Sequence, residues 1–470
     1  MSMKGYTRRR FLKAIGLGAA SLSVPGCLKG DRRAANETAS DAPNFVIIFT
    51  DDQGYEDVGC FGSPSIKTPN LDRMAGEGMR FTDFHSAASI CSPSRAALLT
   101  GCYPPRVGIT KVLFPRDNIG LNPQEVTIAD LLKERGYVTA CVGKWHLGHL
   151  REFLPTNNGF DSYFGIPYSN DMDGVEGKDR NLDRAWRQKD FSSWNVPLMR
   201  NETIIERPAD QTKLIDRYTD EAVAFIRTNR DKPFFLYLPH TMPHIPLFVS
   251  DKFYVEDVQK AYKATIEQID SSVGRVLAAL KEHRIDRKTL VVFTSDNGPW
   301  LAMKHFGGSA LPLRDGKFST YEGGMREPCI MRWPGRIPAG SVCRELCSTI
   351  DLLPTFARLA GARVPTDRVI DGSDIWPLMA GEPGAKSPHD AFFYYRGTNL
   401  EAVRSGKWKL RRVKKSTELY DLEADVGEKI NVAERHPEIV ARLTGVMEEF
   451  DRELKAHARP PGKVSPAKES

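Results

Sequence analysis

The stretch Asn44-Phe45-Val46-Ile47-Ile48-Phe49-Thr50-Asp51-Asp52 decides the architecture. Its apolar run is continuous rather than alternating, as in a strand covered on both faces, and it stops abruptly at two carboxylates. Three more segments repeat that form. Tyr137 to Val142 runs into Gly143-Lys144-Trp145-His146, Phe234 to Leu238 is followed by His240 and His244, and Leu290 to Thr294 precedes Asp296-Asn297-Gly298. Helical patterns lie between the strands. Residues 127–135 stop at Gly136, 214–228 carry apolar residues at helical spacing, and Tyr262, Ile266, Ile269, Val273, Val276 and Leu280 form one stripe. Strands alternating with helices predict an α/β fold with a large, mostly parallel mixed sheet flanked by helices. In such sheets ligands gather beyond the carboxyl ends of the strands. One strand ending in Asp is ordinarily a turn or a helix cap. Four endings on one edge instead propose an oxygen-ligated metal flanked by cations. Hard oxygen donors without a Cys/His cluster point to Ca²⁺ or Mg²⁺ over Zn²⁺.

From residue 348 the texture changes. A helix opens at Thr349 and ends near Gly361. Short strands are expected at 391–395, 401–404, 408–413 and 418–421, followed by a helix over about 437–455. The expected organisation is a catalytic α/β domain over 43–347, then a smaller C-terminal α+β subdomain over 348–457, with an antiparallel sheet and a packed helix. A disordered tail is expected over 458–470.

The 470 residues hold 66 Lys and Arg against 60 Asp and Glu, a net charge of +6. Five of the cations (Lys4, Arg8, Arg9, Arg10 and Lys13) fall in the first 26 residues, which contain no acid, so the body is close to neutral. That argues against nucleic acid as a partner. Eight cysteines are too sparse for a disulfide scaffold. Thr7-Arg8-Arg9-Arg10-Phe11-Leu12-Lys13, ahead of a weakly apolar Gly/Ala/Ser stretch, resembles a bacterial twin-arginine export signal. Residues 1–42 are therefore expected to be that signal and a polar tether. The twin-arginine machinery is the expected partner, and the periplasm, cell surface or medium the destination. Val24-Pro25-Gly26-Cys27 reads either as a lipoprotein site, giving a membrane anchor at Cys27, or as plain cleavage nearby.

Cys91-Ser92-Pro93-Ser94-Arg95-Ala96-Ala97-Leu98-Leu99-Thr100-Gly101 is the most specific segment. Read physically, Cys91 precedes Ser and Pro residues that start a helix, and Gly101 stops it. A side chain at that helix start meets a positive dipole end that favours an anionic group. The plainer alternative is a buried, inert cysteine.

Cys-x-Pro-Ser-Arg-x-x-x-Leu-Thr-Gly resembles the signature of the type I sulfatases, in which the cysteine becomes formylglycine. Gly136-Tyr137 through Gly143-Lys144-Trp145-His146-Leu147-Gly148 resembles that family's second signature. Gly165-Ile166-Pro167-Tyr168-Ser169 and Gly316-Lys317-Phe318-Ser319-Thr320-Tyr321-Glu322-Gly323-Gly324 resemble segments of its arylsulfatase A branch. The resemblance implies an alkaline-phosphatase-like fold and a calcium-dependent sulfuric ester hydrolase. Asp51, Asp52, Asp296 and Asn297 would ligate Ca²⁺, together with the modified Cys91. The hydrate of that residue would be the nucleophile, with Arg95 and His146 holding it. Lys144, Ser169, His244 and Lys317 would surround the sulfate, and His244 is a candidate acid for the leaving alcohol. One hydroxyl of the hydrate would attack sulfur, and deprotonation of the other would re-form the aldehyde as sulfate departs. A formylglycine-generating or sulfatase-maturing enzyme would be a partner, and a sulfated small molecule or glycan the substrate. Asn170 stands where the branch has a histidine, and Asp315 where it has a cysteine.

Three alternatives stay open. The superfamily includes phosphodiester and phosphonate monoester hydrolases, and an unmodified Cys91 would suit a non-catalytic surface binding protein. Within the variable stretch 171–210, Trp186, Trp194, Arg180, Arg184 and Arg187 either contact a sulfated sugar or pack as an ordered loop.

Overall fold

The computed structural model describes residues 42–465. The expectations for the export signal, Cys27 and nearly all of the tether therefore lie outside the described residues. The first strand, Asn44–Thr50, is buried along its whole length. It lies at the centre of an eleven-stranded sheet. It pairs in parallel with Phe234–Pro239 on one side and Thr289–Ser295 on the other. Val138–Val142 and Ser162–Gly165 continue the parallel run. Phe45, Ile47 and Phe49 enter one apolar cluster, and Val46 and Ile48 enter the other. A continuous apolar sequence is therefore needed because both faces are covered.

One face packs on the Ala261–Glu282 helix, whose stripe from Tyr262 to Leu280 lies wholly inside that cluster. The opposite face carries the helices Cys91–Thr100, Ile128–Glu134 and Leu352–Leu359. Phe45 stacks on Phe356 at 4.3 Å between ring centroids. The helix opening at Thr349 thus packs on the large sheet, whereas the sequence grouped it with the C-terminal subdomain.

The mixed character of the sheet comes from Arg326–Arg332, which runs antiparallel to both Thr289–Ser295 and Met79–His85, and from Leu198–Arg200, antiparallel to Ser162–Gly165 at the other end. The smaller sheet orders Phe392–Arg396, Asn399–Ser405, Trp408–Val413 and Ser416–Asp421 consecutively and antiparallel. The Pro437–Ala456 helix covers it, with Phe450 stacked on Phe393.

Two expectations change. Part of the presumed tail is ordered: Gly462–Lys463 pairs with Ile119–Gly120, and Arg459 forks onto Glu125 at 2.7 and 3.0 Å. A bidentate ion pair plus a short ladder holds a Pro/Gly-rich segment that lacks helix or strand periodicity. The stretch 171–210 contains a helix, Leu182–Gln188, capped by Asn181, and a hairpin, Leu198–Arg200 with Thr203–Glu206. Trp186 and Trp194 are buried, and the Trp186 indole donates to the Val255 carbonyl at 2.8 Å. Those tryptophans pack on the body and are not free to stack on a sugar.

Buried Asp351 ties the chain before the Leu352–Leu359 helix to the start of the small sheet. It accepts from the backbone of Ser348 and Ser373, and His389 Nε2 lies 2.8 Å away. Burial draws the His389 imidazolium down, but Asp351 more than offsets this and holds it above its ordinary 6.5. With the folded value raised, this pair stabilises fully at acid pH and loses its effect as pH rises through that value. The stability difference between wild type and His389→Gln, from denaturant titration, should be larger at about pH 5.5 than at about pH 8.5. A difference that does not vary with pH would rule the ion pair out.

Candidate active site

Four strand ends and one helix start converge at the carboxyl edge of the sheet. Asp51 and Asp52 follow the first strand, and Asp296 and Asn297 follow Thr289–Ser295. The Asp296 backbone N–H donates to the Thr50 carbonyl at 3.0 Å, which locks these two ends side by side. Asp52 turns into the left-handed region at φ 64°. Its backbone N–H then reaches Asp296 Oδ1 at 3.1 Å.

Cys91 is the first residue of its helix, and its thiol donates to Asp51 Oδ1 at 3.4 Å. Ligand atoms of Asp51, Asp52, Cys91 and His244 all lie within 4.8 Å of one another. Burial, then the Asp51 charge, pushes the Cys91 thiol well above its ordinary range. It therefore remains a thiol and is a poor nucleophile as it stands.

Each carboxylate has a cationic partner. Lys144 Nζ bonds Asp51 Oδ2, Lys317 Nζ bonds Asp52 Oδ2 at 2.7 Å, and Arg95 forks onto Asp296 at 2.9 and 3.1 Å. Arg95 also donates to the Lys144 carbonyl at 2.9 Å and lies 3.4 Å from Asp51. One turn into the helix from Cys91, Arg95 thus braces two strand ends against each other. Burial and the Asp51 charge push Asp296 up, to about 7. For Lys317 the effects reverse: burial lowers the ammonium, but Asp52 outweighs it and raises the net value.

The remaining predicted residues stand around this core. Ser169 Oγ accepts from Lys144 Nζ at 3.1 Å and lies 3.4 Å from His244 Nδ1. His244 Nδ1 contacts the Ile245 carbonyl at 2.6 Å, so it carries the hydrogen, and Nε2 faces Asp52 Oδ2 at 3.6 Å. To protonate a departing oxygen through Nε2, His244 must be an imidazolium; burial and then Lys317 draw its value below the ordinary 6.5, and Asp52 and Asp51 offset this only in part. His146 Nε2 donates to the Leu113 carbonyl at 3.0 Å, leaving Nδ1 as a bare, buried acceptor. Burial, with Lys144 and Arg95, keeps that ring neutral. His240, the rival of His244, points elsewhere and contacts Ser272 Oγ at 3.2 Å.

The family model described as Sulfatase matches residues 43–362. The chain belongs to the sulfatase family. The model described as the C-terminal part of N-sulphoglucosamine sulphohydrolase matches residues 314–453 of this sulfatase. It is 41% identical over 418 residues to the N-acetylgalactosamine-6-sulfatase of Canis lupus familiaris, covering 86% of this chain and 75% of that protein. It is 41% identical to the arylsulfatase A of Homo sapiens over 392 residues, covering 80% and 76%. The crystal structure of Ps i-CgsB in complex with k-i-k-neocarrahexaose superposes with a TM-score of 0.77 at 32% identity, covering 91% of this chain and 96% of that one. This sulfatase is a sulfuric ester hydrolase with an alkaline-phosphatase-like fold, and its substrates are sulfated.

The second signature of charge lies where the small sheet meets the segment carrying Lys317. Backbone at Asp315 and Phe318 is left-handed, at φ 65° and 73°, so Lys317 is presented on a constrained turn. Thr320 donates to Glu401 at 2.7 Å, and Arg314 and Arg411 lie 3.8 and 4.2 Å from the Tyr321 ring centroid. Glu322 is fully buried. It accepts from Lys409 and Tyr394, both at 2.9 Å, and contacts His85 at 3.1 Å. Burial pushes the Glu322 carboxyl up, but Lys409 and His85 together hold it well below its ordinary range. Asp83, His85 and Glu322 have metal-like spacing, yet Arg404 and Lys409 already fill that role. This clamp escapes sequence reading because Glu322 and Lys409 stand 87 residues apart.

Removing one partner of such a pair costs about 3–5 kcal/mol. Lys409→Met should therefore lower the denaturation midpoint and depress kcat by about tenfold or more, with partial recovery in Lys409→Arg. Unchanged kcat would separate the small sheet from the positioning of Lys317.

Proposed function

We propose that this sulfatase cleaves sulfate esters of carbohydrates with a formylglycine made from Cys91 and a Ca²⁺ ion. Asp51, Asp52, Asp296, Asn297 and position 91 would hold the ion. The observation that carries this reading is the convergence of Asp51, Asp52, Cys91 and His244 ligand atoms within 4.8 Å. The donor set fits a hard dication: Asn297 Oδ1 is buried with no partner, while its Nδ2 is spent on Asp52 Oδ1 at 2.7 Å. Oxygen donors favour Ca²⁺. When bound, the ion supplies charge that polarises the sulfuryl oxygens, and the formylglycine supplies a nucleophile that the raised thiol cannot.

The chain's own groups do the rest. Lys144 and Lys317, now paired with Asp51 and Asp52, would turn their N–H donors to the sulfate oxygens once those carboxylates face a dication. Ser169 would steady Lys144 from the other side. Bare Nδ1 of His146 would accept a hydrogen at position 91, and Arg95 would keep Asp296 and the Lys144 backbone in place. His244, as imidazolium, would donate from Nε2 to the departing oxygen. The neutral Asn170 bonds Gln211 and the Pro246 carbonyl, so it would brace the His244 segment without taking part in proton transfer.

Carbohydrate substrates are favoured by the relatives: N-acetylgalactosamine-6-sulfatase and the oligosaccharide-bound Ps i-CgsB both carry sugar in their names. Export by the twin-arginine route, with Cys27 as an optional lipid anchor, is supported by the leader and by the need to mature a buried residue before secretion.

Mass spectrometry of the peptide containing residue 91 should show loss of the thiol and gain of an aldehyde. Cys91→Ala and Lys317→Ala should each lower kcat on an aryl sulfate by about a thousandfold, as removal of a nucleophile or of a preorganised charge does. Wild-type turnover in Cys91→Ala would refute the mechanism, and faster hydrolysis of phosphate diesters than of sulfate esters would favour the phosphodiesterase reading. Chelation should abolish activity and lower the thermal midpoint, because binding to the folded state alone stabilises it, by about 2.7 kcal/mol at a hundredfold excess over Kd. Ca²⁺ should restore both.

A further inference from the structure

A cavity of about 700 Å³ lies far from the site, beside Arg332 and Pro338; a more informative one, about 480 Å³, adjoins it. The smaller cavity is lined by Phe114, Arg116, Asp171, Met172, Asp173 and Arg180, among others. Both of its walls lead directly to the centre. Leu113, next to Phe114, donates to Ser92 Oγ at 3.1 Å and accepts from His146. On the other wall Met172 N–H donates to the Ser169 carbonyl at 3.1 Å, and the Asp171 charge acts on His244.

The charges around this cavity are unequally matched. Asp173 is taken by Arg207 and the Tyr168 hydroxyl. Asp171 Oδ1 is buried and unpartnered. The guanidinium carbon of Arg116 lies 5.7 Å from the Phe114 ring centroid and its charge acts on Asp117, and Arg180 lies over the backbone of Gly174. Neither guanidinium forms a direct ion pair with a carboxylate among the described residues. The Arg116 turn is nonetheless ordered, since Asp117 accepts from the Phe114 N–H at 2.7 Å and holds Lys111 at 3.0 Å. Phe114 leaves 43% of its surface exposed.

Two guanidinium groups without a direct ion pair and an exposed ring match an anionic sugar. Guanidinium forks bind sulfate or carboxylate oxygens, and the ring stacks on a pyranose face. We propose that this cavity is the subsite for the leaving-group side of the substrate. It selects an oligosaccharide bearing a second anionic group on the sugar next to the one being desulfated. The inference rests on the sulfatase reading above and adds the substrate's charge pattern. Of the five arginines in the 171–210 stretch, Arg180 alone lines the cavity; its companion Arg116 comes from a different segment.

The test uses three probes: an aryl sulfate, a disaccharide with one sulfate ester, and the same disaccharide with a sulfate on both sugars. The wild-type enzyme should favour the doubly sulfated probe through KM, and added salt should weaken that preference. Arg116→Ala and Arg180→Ala should each raise KM for the doubly sulfated probe by about tenfold, the scale of one charge-assisted contact, and erode the discrimination. Arg187→Ala, outside the cavity, should keep it. Dissociation constants of both disaccharides measured on Cys91→Ala give the same comparison without turnover. A failure of hydrolysis would therefore count against the sulfatase mechanism and leave the subsite decided by binding. Equal affinity for the two disaccharides, or loss of affinity for both alike in the arginine variants, would overturn the proposal.

Discussion

Three carboxylates and three cations share one buried pocket, and each must find its opposite there. Isolated burial of any of them would be prohibitive. Asp51 against Lys144, Asp52 against Lys317 and Asp296 against Arg95 bring the set to neutrality. The balance constrains the surrounding backbone. Strand ends from 44–50 and 289–295 must lie in register, the Cys91 helix must place Arg95 one turn inward, and the turn at Asp315 to Phe318 must deliver Lys317 from outside the sheet. Left-handed backbone at Asp52 and His146 is held in this pocket, where the neighbouring hydrogen bonds can sustain it.

The scaffold divides its labour accordingly. The parallel core strands supply the carboxylates of the proposed metal site and Lys144, positions that tolerate little movement because both faces of the sheet are packed. Loops supply Ser169, His244 and Lys317. The segment just after the last of these is held by contacts from the small antiparallel sheet, which ties the C-terminal part of the chain to the candidate site. Further out, the rim carries guanidinium groups with no direct ion pair, and specificity can vary there without disturbing the neutral centre.

Much of this was legible in the residues. The helices over 214–228 and 261–282 and the strand over 408–413 follow from the burial period, which depends on neighbours a few positions away. Convergence of Asp51, Asp52, Asp296 and Asn297 was legible too, since parallel strands end on one edge. The antiparallel Arg326–Arg332 strand was not, because its partners Met79–His85 and Thr289–Ser295 are chosen by register and not by composition. Arg459 folding back onto Glu125 was equally hidden, and for Trp186 and Trp194 the residues left sugar contact and packing on the body both open until the fold decided for packing.

Local pattern and side-chain chemistry by themselves pointed to the layered α/β class and to carboxylates gathered on one sheet edge, and the resemblance of the motifs gave the family and the rest of the expected site. Tertiary structure alone decided which cation serves which carboxylate, that Arg95 braces Asp296, that Lys409 reaches Glu322, and that Arg116 and Arg180 face one cavity. The physical reason is separation along the chain. A burial period is set by adjacent residues, whereas an ion pair spanning some two hundred positions, as Arg95 and Asp296 do, exists only after the sheet has brought its ends together.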